Sequence, residues 1–246
     1  MKEIIINKEY RLYVLEGHET CCSDDPRLPY GSHPLAGGGM SSPQSSSMTI
    51  PHHIVVEKDA CVNVVLLVMP GVSVDLKFDV ELVGEGAQAN IYGAYICAGH
   101  EKVKISVDMH HKVPHCSSRQ LFKGIAGGTS KVDFYGKIIV AKDAQRTEAY
   151  QENHNLLLSE GAKVDTKPQL EIYADDVKCS HGATIGRLNE EEQFYMRSRG
   201  ISLEDAKVLQ MISFIAPVLE NIEDDRERES VTADLESAIR NIVHNQ

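Results

Sequence analysis

Cys179 and His181 stand two residues apart in the run Lys178-Cys179-Ser180-His181-Gly182-Ala183-Thr184-Ile185. Residues i and i+2 of a strand share a face. A thiol and an imidazole on one patch form a donor pair suited to iron or to an iron–sulfur cluster. The same spacing suits a plainer arrangement, a buried cysteine beside a histidine that hydrogen-bonds a tight turn, and spacing leaves both open. Other groups carry less. His52-His53 and His110-His111 are adjacent, and adjacent strand residues point to opposite faces, so neither pair chelates from a regular strand. His115 needs a bend to meet Cys116. Cys21-Cys22 falls in a Gly/Ser/Pro-rich segment and reads as incidental thiols. Glu148 and Glu152 have the right chemistry for acid–base work, but two carboxylates on a polar strand are expected to be solvated. Nucleophile-elbow, zincin and dinucleotide motifs are absent, and no C-x-x-C pair offers a zinc or redox site.

The elements that must position these residues are strands. Val62 to Val68 is rich in β-branched residues; Val72 to Phe78, Val80 to Leu82 and Val103 to Met109 alternate; Val132 to Val140 and Leu170 to Tyr173 continue the pattern. Period-2 alternation gives each strand one buried face. Residues 3–16 read as one or two further short strands. Residues 17–50 carry Gly37-Gly38-Gly39, a serine tract and several prolines, and read as a long mobile loop. This loop lacks the phosphate-cradle pattern and its strand–helix setting. A small residue recurs after Asp, Gly or Glu before strands, with Ala144, Ala162 and Ala183 spaced 18 and 21 residues apart. A period near 20 with short strands suggests a β-solenoid, with an antiparallel sandwich or jelly roll as the alternative.

From Asn189 the period changes. Asn189 with Glu192 resembles a capping box, and Gly200 stops the helix it starts. Ser202 caps a second helix with the stripe Val208, Leu209, Ile212, Ile215, Ala216 and Leu219, which Pro217 kinks or ends. Glu220 to Glu229 reads as a charged connector, and Leu235, Ala238, Ile239, Ile242 and Val243 as a third amphipathic helix. The expected organisation is a β core over residues 1–188 and a helical unit over 189–246. The net charge of −11 argues against a nucleic-acid or anionic-lipid partner. The longest apolar run, Val64 to Met69, is far short of a membrane span, and the N-terminus has no signal-peptide pattern. The expected compartment is the cytoplasm, with six thiols kept reduced.

Pro168-Gln169-Leu170-Glu171-Ile172-Tyr173-Ala174-Asp175-Asp176-Val177, the cysteine–histidine run to Gly186, and then Phe194-Tyr195-Met196-Arg197-Ser198-Arg199-Gly200-Ile201 closely resemble the SufB/SufD family of iron–sulfur cluster assembly proteins. The match is nearly complete over residues 160–216 and looser upstream. The resemblance implies a mainly β fold, a right-handed parallel β-helix (solenoid), with a small C-terminal helical unit that docks a SufC-type ABC ATPase. It implies a non-enzymatic scaffold, ATP hydrolysis belonging to the ATPase. The Ser-His-Gly-Ala-Thr form looks SufD-like, since SufB-type sequences carry Glu where Gly182 stands. It places His181, with Cys179 second, at a subunit interface where a transient iron–sulfur cluster is held and none is tightly bound. The expected partner there is a SufB-type subunit or a second copy of this chain. The apolar stripes, on a unit too short to bury them all, suggest Phe194, Tyr195, Arg199, Ile201, Leu209 and Phe214 as the ATPase-docking set. Rival readings are a β-helix acyltransferase or polysaccharide-acting enzyme, which lacks the hexapeptide repeat or the signal peptide it would want, and a purely structural solenoid adaptor with no role for Cys179 and His181.

Overall fold

The computed structural model describes residues 53–244 in full and, before them, the backbone of three strands, β1 (Glu3–Ile6), β2 (Glu9–Leu15) and β3 (His18–Thr20). The rest of the segment read as a mobile loop lies outside the described residues. Ten strands follow: β4 (His53–Val56), β5 (Cys61–Val68), β6 (Val74–Leu82), β7 (Gln88–Cys97), β8 (Lys102–His111), β9 (Ser117–Ala126), β10 (Lys131–Val140), β11 (Glu148–Leu157), β12 (Lys163–Ile172) and β13 (Lys178–Gly186). From β4 onward they alternate between two sheets. One has the order β1-β4-β6-β8-β10-β12, the other β13-β11-β9-β7-β5-β2-β3. Every pairing is parallel except the β2–β3 hairpin. This is a parallel β-solenoid of about five turns, and the sandwich alternative falls.

The coil period differs from the expected 20 residues. His53 pairs with Asp79 and Lys131 with Lys163, so from β4 onward each coil advances 26 to 32 residues and carries two strands. Ala144 and Ala162 belong to different corners and Ala183 lies inside β13, so their spacing compared unlike positions. The true punctuation is one corner per coil. Asp59, Gly86, His115 and Arg146 all have positive φ, between 54° and 79°. Each stands two residues before a strand of the second sheet, and the residue after it (Ala60, Ala87, Cys116, Thr147) is buried.

Inward residues make the core. Phe78, Tyr95, Phe122 and Phe134 are fully buried, and the Phe122 and Phe134 rings meet at 4.8 Å between centroids. Two glycines make room for rings. A Cβ on Gly93 would lie 2.3 Å from Phe122 Cδ1, and one on Gly124 would lie 1.9 Å from Tyr95 Cε2. Without a side chain at Gly124, the Tyr95 hydroxyl reaches across a whole coil to donate to Asn155 Oδ1 at 2.5 Å. Gly124→Ala is therefore expected to cost about 1–3 kcal/mol, the range for overpacking a filled core. Gly182→Ala, which meets nothing within 4 Å, is expected to change stability by under about 0.5 kcal/mol. Urea unfolding of both variants checks the contrast.

At the opposite corner, buried Glu101 accepts backbone N–H groups from Gly71 (2.9 Å) and Ala98 (3.1 Å) on one oxygen and Gly99 (2.7 Å) on the other. Desolvation raises its pKa, but these N–H donors outweigh it and hold the carboxyl below its ordinary value. A depressed folded pKa means that the stabilisation is complete above the unfolded pKa of about 4.3 and is lost as pH falls through the folded value. Melting curves from about pH 6 to 3 are expected to fall less steeply for Glu101→Gln than for the native chain.

Three helices end the chain: α1 (Glu190–Ser198), α2 (Leu203–Leu219) and α3 (Asp225–His244). Asn189 Oδ1 accepts from the N–H groups of Glu191 and Glu192. The Glu192 carboxylate accepts from Gln210 Nε2 of α2 at 2.7 Å, so its hydrogen bond ties the first two helices together. Gly200, φ 88°, follows the first helix, and Ser202 Oγ caps the second by accepting from Asp205 N–H. Pro217 lies inside α2, which ends two residues later. α3 starts earlier than expected, because Asp224 accepts from Glu227 N–H at 2.8 Å. The second half of the segment read as a charged connector, residues 225–229, is therefore the start of a helix. α2 packs on the outer face of the second sheet and α3 packs on α2, so that Val208, Met211, Ile215, Leu235 and Ile239 share one buried cluster with Val65, Leu67, Ala94, Ile96 and Ile125. That second burial explains why Val64 to Val68 is apolar without alternation.

Candidate functional site

Along the second sheet the inward side chains change character from coil to coil. β5 supplies Val62, Val64, Leu66 and Val68. β9 supplies Ser118, Gln120 and Phe122, and β11 supplies Ala149, Gln151, Asn153 and Asn155, all buried. β13 continues the same files with Cys179, His181, Ala183 and Ile185. The interior thus grows polar toward the C-terminal coil. The polar groups pair with one another, although Gln120 Nε2 and Gln151 Oε1 are buried without a partner among the described residues. Gln151 Nε2 donates to Gln120 Oε1 at 2.8 Å, Asn155 Nδ2 to Asn153 Oδ1 at 2.7 Å, and Asn153 Nδ2 to the Tyr95 hydroxyl at 3.3 Å. Burial also holds His111, which meets Ser118 Oγ at 2.8 Å, down at a pKa of about 4.

The last coil is uncovered. β12 and β13 are the edges of their sheets. Their inward residues, whose counterparts in the coils from β8 to β11 are buried, are only half-buried or exposed: Val164, Thr166, Pro168 and Leu170 on one side, Cys179, His181, Ala183 and Ile185 on the other. Ile185 is 46% exposed, and Tyr173, just past β12, is 62% exposed. An edge strand is a ready template for another strand, and proteins blunt such edges with charge and proline. β12 has Lys163, Asp165, Lys167, Glu171 and Pro168. β13 from Cys179 to Gly186 has no Asp, Glu, Lys, Arg or Pro. The unprotected edge is the one that carries the cysteine and the histidine.

Cys179 and His181 therefore sit on one face, as their spacing predicts, at the open mouth of the solenoid. Burial raises the pKa of the half-buried Cys179 thiol, with the Ala149 backbone pulling it down less. At neutral pH Cys179 is a thiol, which ranks it behind His181 as a donor. Among the described residues no group of three or more His, Cys, Asp or Glu is placed to hold a metal ion. The other histidines separate as their positions dictate. His110 faces out beside Asp79 (3.3 Å) and His111 faces in. His53 lies 3.9 Å from Glu81, and His115 lies 3.8 Å from Glu85 while Cys116 is buried behind it. Glu148 pairs with Lys178 and Glu152 with His154, at the surface.

The helical residues divide. Of the α2 stripe, Val208, Ile215 and Leu219 are buried, Ile212 and Ala216 are half-buried, and Leu209 faces out, 47% exposed. Phe194 (72%) and Tyr195 (58%) are exposed on α1, and Arg199 lies over the Tyr195 ring at 4.9 Å. Ile201 is half-buried, and half-buried Phe214 packs on the helix–sheet core with Lys123 Nζ 4.5 Å from its ring. Tyr195, Leu209 and Phe214 line a groove of about 780 Å³ whose floor includes Leu156 and Leu188. The helical unit does not bury its stripes alone. The sheet covers most of α2, and the exposed set is narrower, joined by Leu203, which the sequence reading did not single out.

The family described as SUF system FeS cluster assembly, SufBD core domain, matches residues 42–214, which is more than half of the chain. The chain belongs to the SufBD family. It is similar to the iron–sulfur cluster assembly protein SufD of Escherichia coli, 42% identical over 153 residues, covering 62% of this chain and 36% of that protein. It is 47% identical to the SufBD family protein slr0076 of Synechocystis over 109 residues, 44% of this chain and 24% of that one. With the SufBD family protein ML0594 of Mycobacterium leprae it shares 30% identity over 193 residues, 75% of this chain and 49% of the relative. The chain thus spans half or less of the length of these relatives. Within this family the chain is SufD-like. Among the described residues no helix is long and apolar enough to cross a membrane.

Proposed function

We propose that this SufBD-family chain is a scaffold subunit without catalytic chemistry of its own, on which a cluster is held as cargo at the open coil end. The observation that carries the reading is the uncovered last coil, where His181 ends a buried polar file on an unprotected edge strand. Covering that end with a second solenoid end buries Ile172, Tyr173 and Ile185 and pairs the bare edge of β13. The occupant is a SufB-type subunit or a second copy of this chain, and His181, with Cys179 behind it, meets the partner's donors there. Imidazole is largely neutral near pH 7 and ligates iron readily. The helical unit, residues 189–246, presents Phe194, Tyr195, Leu203 and Leu209 beside the groove to a SufC-type ATPase, which supplies the ATP hydrolysis. The charge and the thiols suit the cytoplasm.

Co-expression with SufB-type and SufC-type candidates, followed by affinity capture and anaerobic reconstitution with iron and sulfide, tests the whole. The reading requires a stable complex and a cluster absorption band that needs both solenoid subunits. A chain that captures neither partner contradicts it.

A further inference from the structure

The file Gln120–Gln151–His181 runs along the solenoid axis at the same inward position of β9, β11 and β13. Gln120 and Gln151 are fully buried. The Gln151 amide gives its nitrogen to Gln120 Oε1, at 2.8 Å. Its oxygen is buried and meets no donor among the described residues. A buried carbonyl oxygen is rarely left so, because leaving it unpaired is costly. The amide is also held in place. It lies against the backbone of Gly136 on the opposite sheet, where a Cβ would come within 2.0 Å of Gln151 Nε2 and 2.9 Å of Oε1. The glycine makes the space, and the close backbone limits how the amide can turn.

With the nitrogen committed to the coil below, the oxygen is what remains for the coil above. The residue there, in register with Gln151, is His181. Paired strands lie about 4.8 Å apart, within reach of a ring N–H bonding to an amide oxygen one strand away. We infer that the exposed His181 ring, which does not meet that oxygen in this structure, turns inward to bond it, so that Gln151 is its positioning residue: the amide oxygen accepts one ring N–H, which holds the imidazole in a single neutral tautomer and leaves the other nitrogen's lone pair free to face the subunit interface. Which nitrogen of a histidine can ligate is set by the hydrogen bond that the other makes. The inference rests on the reading of His181 as a cluster-holding residue, and it extends that site inward by two residues, with Gln120 fixing the orientation of Gln151.

The test uses the full chain labelled with ¹⁵N-histidine, at a pH of about 8, where imidazole is neutral. Two-bond ¹H–¹⁵N spectra report the tautomer of His181, assigned by its loss in His181→Asn. The native chain is expected to show one tautomer. Gln151→Leu and Gln151→Met, either of which serves if the other folds poorly, are expected to give an average of the two. Gln151→Glu retains an acceptor oxygen and is expected to restore the native pattern. Reconstituted cluster should fall roughly tenfold in Gln151→Leu, the size of effect seen when a ligand's orienting partner is lost. A His181 spectrum unchanged in both Gln151→Leu and Gln151→Met overturns the inference. If the spectra change as expected but His181→Ala builds clusters normally, the positioning stands and the cluster reading falls. If His181→Ala loses clusters with no tautomer response to Gln151, the positioning alone falls.

Discussion

Replacing Phe194 and Leu209 together by Asp is expected to weaken binding of a SufC-type ATPase by about a hundredfold or more, with no loss of fold. Apolar anchors at an interface centre typically contribute about 2 kcal/mol or more each when removed, and every 1.4 kcal/mol is about tenfold. Both side chains face out from α1 and α2, so charge there disturbs little of the packing. Val208→Asp is the contrasting change, because Val208 is buried against the second sheet and its loss should unfold the helix–sheet contact. Deleting residues 190–246 is a poor substitute, since it would strip the apolar outer face of Val65, Leu67, Ala94, Ile96 and Ile125. Calorimetric titration reads the difference. An unchanged affinity in the double variant moves the docking surface elsewhere.

Ile185→Asp is expected to abolish pairing of the coil end while leaving the chain folded. Ile185 tops the file that begins at Val68 and passes through Tyr95, Gly124 and Asn155. It is exposed in the single chain and would be buried by a second solenoid end. An unpaired carboxylate buried in such a contact typically costs several kcal/mol, enough to shift dimer dissociation by more than about a hundredfold. Sedimentation of the chain alone, and mixed with a SufB-type partner, checks this. Pairing that survives the substitution places the interface away from the last coil.

Much of this was legible in the residues because alternation and caps are local signals. Val103 to Met109 alternated because one face is buried, and Asn189, Gly200 and Ser202 mark helix ends through hydrogen bonds made within three residues. The coil length was not legible. It depends on which corners are equivalent, and the left-handed residue there is aspartate, glycine, histidine or arginine in successive coils. The pairing of Cys179 and His181 on one face followed from their spacing. Their place at an open end did not, because exposure of the last coil depends on what fails to stack on it. Nor did the role of Gln120 and Gln151, which are 31 residues apart. Two glutamines in strands otherwise rich in polar residues carry no mark of facing inward until the register is known. Asp224 was the readable exception, an acidic cap hidden in a run of charges.

The most direct test of the central claim is anaerobic reconstitution of the complex containing His181→Ala beside the native one, with the cluster absorption band as the readout. His181 is exposed on an edge strand, so the variant should fold and bind its ATPase as the native chain does. Cluster yield should fall by about 10- to 100-fold, the range for loss of a group that holds or orients a metal. Cys179→Ala should have the smaller effect. A His181→Ala complex that assembles clusters at the native yield would contradict the account.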